Sequence, residues 1–169
     1  MKKTLIATTA AVLATLVFAD TATAATGHVR ARSANGVVAG GTNNGNSYVR
    51  ARGTKANADG STTAASGGAF KTRTGAYGAR GSTTTVNPDG SASHSGSAYA
   101  TGAKGTASTS GGFTRNADGT VSGGRNTDVT NAATGNSYSG STSYDSATGA
   151  THSGTCTDAS GATIACPTR

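Results

Sequence analysis

Residues 57–90 read NADGSTTAASGGAFKTRTGAYGARGSTTTVNPDG, two chain-reversal signals enclosing a pair of strand-like runs. Asn57-Ala58-Asp59-Gly60 and Asn87-Pro88-Asp89-Gly90 place Asn at i, Ala or Pro at i+1, Asp at i+2 and Gly at i+3, and Asn116-Ala117-Asp118-Gly119 has the same form. This is the chemistry of a type I turn followed by a left-handed glycine, the loop of three-residue hairpins. Outward from these motifs, turn-type glycines fall at Gly45, Gly60, Gly75, Gly90, Gly105, Gly119, Gly135, Gly149 and Gly161, with intervals of 15, 15, 15, 15, 14, 16, 14 and 12. Gly105 is the weakest member, and Thr101-Gly102 is an alternative turn there.

Between turns lie about eleven residues rich in Thr, Ser, Val and Tyr and nearly free of helix signals, which reads as strand. Most units carry a further glycine in mid-strand, such as Gly53, Gly81, Gly96, Gly140 and Gly154. Such glycines mark a bend, a bulge or a close backbone approach. The expected fold is all-β, an antiparallel meander of hairpin repeats of about 15 residues. A narrow β-solenoid is the alternative architecture, and a largely disordered Gly/Ser-rich chain is the alternative to any fold. Asn-x-Asp-Gly favours the meander because it reverses a chain better than it rounds a solenoid corner. Apolar side chains fall at two places per leg: shortly after a turn (Tyr48, Tyr77, Val121, Tyr138) and shortly before the next (Phe70, Val86, Tyr99, Phe113, Val129, Tyr144). Ser137, Ser139, Ser141 and Ser143 define a hydroxyl face, with Tyr138 and Tyr144 pointing the other way.

Composition excludes a large enzyme-like globule. From Ala25 onward the strongly apolar residues are seven Val, two Phe and Ile164, ten in 145, while Gly, Ala, Thr and Ser together supply 95. That is far below the roughly 20% Leu+Ile+Val+Phe at which a packed core becomes doubtful. Stability must then rest on backbone ladders and cross-strand pairs, each of roughly 0.2–1 kcal/mol.

The first 24 residues read as a signal peptide: a basic Met1-Lys2-Lys3, a run of small and apolar residues from Thr4 to Ala19, and an Ala22-Thr23-Ala24 cleavage pattern. The run is too short and too diluted to span a bilayer, so no membrane span is expected in the mature chain. The expected destination is periplasmic or extracellular, by the general secretory route. Residues 25–155 form the Gly/Ser/Thr/Ala-rich region, and 156–169 a terminal hairpin and tail. Cys156 and Cys166, the only cysteines, read as a disulfide across a turn at Asp158-Ala159-Ser160-Gly161. A loop this short is worth about 3 kcal/mol by chain entropy. The sharper alternative is a metal or Cys-His site of His152, Cys156 and Asp158, which alternate along one strand face.

Charge is concentrated in residues 25–80, where eight Lys/Arg face one Asp, against four and five in the remainder. Arg30/Arg32, Arg50/Arg52 and Lys71/Arg73 each stand two apart beside a ring, and Lys55 and Arg80 complete the basic half. Cations two apart on a strand share a face, so these eight residues are the candidate contacts for an anionic polymer: lipopolysaccharide, acidic polysaccharide or extracellular DNA. The alternative is that edge-strand cations keep exposed sheets from pairing and the chain soluble.

Catalytic chemistry is scarce. Glu is absent, and Asp59, Asp89, Asp118 and Asp158 are committed to turns, which leaves no paired carboxylates for acid–base work. No cofactor is expected. The pairs Thr72/Thr74, Thr83/Thr85 and Thr155/Thr157 are similar to those of ice-binding β-proteins, a third-ranked reading.

The succession Asn116 to Gly119, Thr134-Gly135-Asn136-Ser137-Tyr138-Ser139-Gly140, Tyr144-Asp145 and Gly154 to Gly161 resembles uncharacterised secreted Gly/Ser/Thr-rich repeat proteins of Gram-negative bacteria. That resemblance implies export and repetition and transfers no activity. Curlin-type amyloid subunits are similar in size and glycine content but rest on Gln and Asn ladders, and Gln is absent here. The expectation is an exported, non-enzymatic structural or adhesive protein of the cell surface or matrix, with self-association through sheet edges as a further expectation. A polyanion-binding module is the alternative.

Overall fold

The computed structural model describes residues 26–166; the segment read as a signal peptide lies outside the described residues. These form eleven strands: β1 (Gly27–Ser33), β2 (Gly36–Asn43), β3 (Asn46–Ala56), β4 (Thr62–Lys71), β5 (Tyr77–Val86), β6 (Ala92–Gly102), β7 (Gly105–Arg115), β8 (Val121–Asn131), β9 (Ser137–Asp145), β10 (Gly149–Thr157) and β11 (Thr163–Ile164). They lie in chain order in one open sheet, each antiparallel to the next. The described chain contains no helix, so none is long and apolar enough to cross a membrane. Only consecutive strands touch, which makes the sheet a single layer wetted on both faces.

All nine glycines read as turn residues have positive φ, from 71° at Gly135 to 135° at Gly105. Asn44 is the single non-glycine in that region among the described residues, at 48°, and Asn44-Gly45 makes the two-residue reversal that such a pair favours. The odd value at Gly105 belongs to the weakest turn: β6 runs to Gly102 and β7 begins at Gly105, leaving Ala103-Lys104 as the loop. The hairpin of β1 and β2, through Ala34-Asn35, is an additional reversal that the glycine spacing did not mark.

The Asn-x-Asp-Gly motif has a fifth member. Asp59 Oδ1 accepts from the Ser61 amide at 2.9 Å and from Ser61 Oγ at 2.7 Å, while Asn57 Nδ2 donates to the same hydroxyl at 2.9 Å. Gly60 N closes the turn on the Asn57 carbonyl at 3.1 Å. The same ring of bonds joins Asn87, Asp89 and Ser91, and Asn116, Asp118 and Thr120. Donation from Ser61, Ser91 and Thr120 hydroxyls is the leading cause that holds Asp59, Asp89 and Asp118 below the ordinary Asp value of 3.8, and the Ser160 hydroxyl does the same for Asp158. A depressed folded-state pKa gives stability that is complete above the unfolded value and lost as pH falls through the folded one. The amide resonances of Ser61, Ser91, Thr120 and Ser160 should therefore titrate with midpoints below 3.8, in NMR spectra taken down the acid limb. Asp→Asn at each turn should abolish that local titration; midpoints at or above the ordinary value would contradict the hydrogen-bonded geometry.

Mid-strand glycines do not interrupt the ladders, whose register runs unbroken along each long strand. Several mark close approach, most often to backbone: a Cβ at Gly67, Gly68, Gly111, Gly112 or Gly123 would meet a carbonyl oxygen of the neighbouring strand first. Rings lie against two others, since a Cβ at Gly154 would stand 2.8 Å from the Tyr138 ring and one at Gly78, near the start of β5, 2.8 Å from the Phe70 ring. This is how a sheet without a second layer shields apolar surface, by laying a side chain flat on a bare stretch of its neighbour. Little else is sheltered. Ala39, Cys156 and Ser61 are buried, whereas Val29, Tyr48, Phe70, Tyr99 and Phe113 remain 42–74% exposed.

At the C-terminal end Cys156 and Cys166 form the expected disulfide, with Cα atoms 5.3 Å apart. The residue directly across from Cys156 is Ile164, so Cys166 bridges diagonally from just past β11. The bond removes Cys156 from the alternative metal or nucleophile site. His152 instead shares hydrogen bonds with Tyr138 Oη at 3.2 Å and Thr142 Oγ1 at 2.9 Å.

Candidate polyanion-binding face

In an antiparallel ladder directly paired residues project from the same face, so the register maps both surfaces. One row across the sheet reads Arg30, Ala39, Arg50, Gly68, Arg80, Ala98, Thr109, Thr127, Gly140 and Gly154. The adjacent row on that face reads Arg32, Val37, Arg52, Ser66, Ser82, Gly96, Gly111, Arg125, Thr142 and His152. Arg115, paired with Ala92 and Val121, belongs to the same face. All seven strand arginines thus share one face, and all are exposed. Both strand aspartates, Asp128 and Asp145, fall on the other, where Asp128 pairs with Ser108 and Ser139.

Arg30, Arg50 and Arg80 stand on alternate strands with Ala39 and Gly68 between them. Strands spaced about 4.8 Å apart put these cations about 10 Å from one another in a line perpendicular to the strands. Small residues at the intervening positions leave the guanidinium groups free to reach a common ligand. Rings flank the line: His28 and Tyr48 meet with centroids 6.4 Å apart, and Phe70 is the cross-strand partner of Tyr48.

Of the eight cations expected to bind an anionic polymer, Arg30, Arg32, Arg50, Arg52 and Arg80 are brought together. Lys55 and Lys71 lie on the opposite face, paired with Thr63 and with Ser47 and Tyr77. Arg73 sits in the turn after β4, its amide donating to Asn46 Oδ1 at 3.1 Å. The chain reverses between Lys71 and Arg73, so their two-residue spacing carries no shared face. Arg115 and Arg125 lie outside the basic half of the sequence and join the face only through strand register.

The second face is dominated by hydroxyls over β6–β10. Thr101, Thr106, Thr130, Ser137 and Thr157 line up in one row across five strands, and Ser137–Thr157 and Ser143–Thr151 pairs are bonded at 2.6 Å. Thr83/Thr85 and Thr155/Thr157 belong to this face, and Thr72/Thr74 to a turn. Among the described residues no three His, Cys, Asp or Glu side chains cluster to hold a metal. Comparison with protein-family models, with curated proteins and with solved structures finds no match.

Proposed function

We propose that this chain is an exported, non-enzymatic adhesive protein that holds anionic polymer against its arginine face, at the cell surface or in the matrix around it. The observation that carries the reading is the segregation of charge: seven strand arginines on one face and both strand aspartates on the other. A sheet needs lysine or arginine only at its edges to discourage pairing, yet Arg80, Arg115 and Arg125 stand on the interior strands β5, β7 and β8. Edge protection leaves them unexplained, whereas anionic polymer held against this face gives them partners. Retention on an immobilised anionic polymer should be tight at low salt and fall steeply as salt rises. Salt-insensitive retention would contradict the electrostatic mechanism.

A second reading, self-association, is favoured by the unequal length of the last two strands. Among the described residues β11 pairs only with Cys156 and Thr157, which leaves Gly149–Thr155 of β10 as an open edge, and β1 forms the other edge of the sheet. Edges of this kind can add a strand from a second copy.

A further inference from the structure

On the arginine face the small residues of β4, β6 and β7 leave a shallow depression of about 450 Å³. Its floor is made of Gly68, Ala98, Ala100 and Ala107, and its sides carry Phe70 with Arg50 and Arg80 at one end and Arg125 at the other. Phe70 lies against Gly78 and remains 44% exposed, so ring surface is open to a ligand. Arg125 is aimed by its own neighbour: Nε donates to Thr109 Oγ1 at 2.8 Å, which draws the side chain from β8 back over β7 and leaves its terminal NH2 groups as donors. Arg80 and Arg125 are three strands apart, about 14 Å between backbones.

We propose that this depression binds an acidic sugar unit of a linear polysaccharide, its apolar ring face on the alanine floor and Phe70, and its carboxylates on the guanidinium groups. The inference rests on the polyanion reading and names the ligand class. Three features select it. The volume falls within the roughly 300–1,000 Å³ of small-molecule sites, which admits sugar rings and excludes a duplex. A floor of methyl groups matches the C–H face of a pyranose, whereas single-stranded nucleic acid is held by successive aromatic platforms, and this floor has one ring at its side. The cations within it are all arginines, whose planar fork fits a carboxylate with two parallel bonds.

The test is equilibrium binding of oligogalacturonate, duplex DNA and polyphosphate to the whole chain at one low salt concentration. Two variants keep the net charge: Ala107→Phe fills the floor at an exposed strand position, and Arg125→Lys removes the fork. Each should weaken oligogalacturonate by about tenfold, the loss of good contacts in one subsite, while Ala107→Phe, which removes no cation, should change duplex DNA affinity by less than about twofold. Equal losses for all three polymers, or no loss for oligogalacturonate in either variant, would overturn the site. If duplex DNA and polyphosphate bind but oligogalacturonate does not, the sugar site fails while the polyanion reading stands. If none of the three binds, the reading itself fails. A β-type circular dichroism spectrum for each variant checks that the sheet persists.

Discussion

Replacing Arg50, Arg52 and Arg80 together by alanine should weaken duplex DNA binding on the order of 100-fold at low salt and reduce the steepness of its salt dependence by about two to three units. The slope is the sharper readout, because each phosphate neutralised contributes about 0.9 to it on duplex DNA. The three residues stand on β3 and β5 in two adjacent rows of the same face, so one polymer can meet all of them at once. The control is removal of Lys55 and Lys71, which takes two positive charges from the same half of the sequence but from the opposite face. That variant should change the slope by less than about one unit. If it weakens binding as much per charge as the arginine variant does, net charge governs and the one-sided face has no role. The exposed arginines make few contacts that the fold needs, so the melting behaviour of the triple variant should stay close to that of the parent.

Ser97→Pro should divide the sheet rather than unfold it as a unit. Ser97 sits in mid-β6, opposite Gly81 on β5 and Ser110 on β7. Proline there removes a ladder donor and brings a ring against the neighbouring backbone. In a two-layer protein such damage is shared through the core. Here strands touch only the strands before and after them, so stability is close to a sum of nearest-neighbour terms, as in linear repeat arrays. Amide hydrogen exchange should lose protection across β5–β7, by at least about tenfold, while β2–β4 and β8–β10 keep most of theirs. Uniform loss of protection from β1 to β11 would show a cooperativity that nearest-neighbour contact does not supply.

The fold was legible in this sequence because turn chemistry is local. Asn-x-Asp-Gly and Asn-Gly dictate chain reversal through their own side chains and φ angles, and each turn glycine chosen by spacing occupies the left-handed region. The β1–β2 hairpin escaped because Ala34-Asn35 precedes the first spaced glycine and reverses the chain without positive φ at any residue. Ser61, Ser91 and Thr120 escaped for a different reason: a motif read as four residues hides the fifth, whose hydroxyl completes the bond network.

The face was only partly legible. Arg30/Arg32 and Arg50/Arg52 share a surface by strand alternation alone, a rule internal to one strand. Placing Arg80, Arg115 and Arg125 beside them requires the register of every intervening pair, and a shift by one residue would turn any of them over. Lys71 and Arg73 show the converse, since a turn between them defeats the alternation rule. The role of mid-strand glycine was open in the same way: the choice between bulge and close approach depended on the neighbouring strand, whose carbonyl oxygens lie nearest Gly67, Gly68, Gly111 and Gly112 and whose Tyr138 ring lies over Gly154.

Anionic polymer should meet only one face of this single-layer sheet, and alanine methyl NMR addresses that directly. Ala39, Ala64, Ala98, Ala100 and Ala107 belong to the arginine face, whereas Ala31, Ala51, Ala65, Ala69 and Ala79 belong to the hydroxyl face. The two sets meet on β4, where Ala64 and Ala65 are adjacent in sequence and project from opposite faces, so proximity in sequence cannot produce a one-sided result there. On titration with an acidic polysaccharide, methyl signals of the first set should shift and those of the second should stay in place. Comparable shifts in both sets, or shifts confined to the second, would contradict the account.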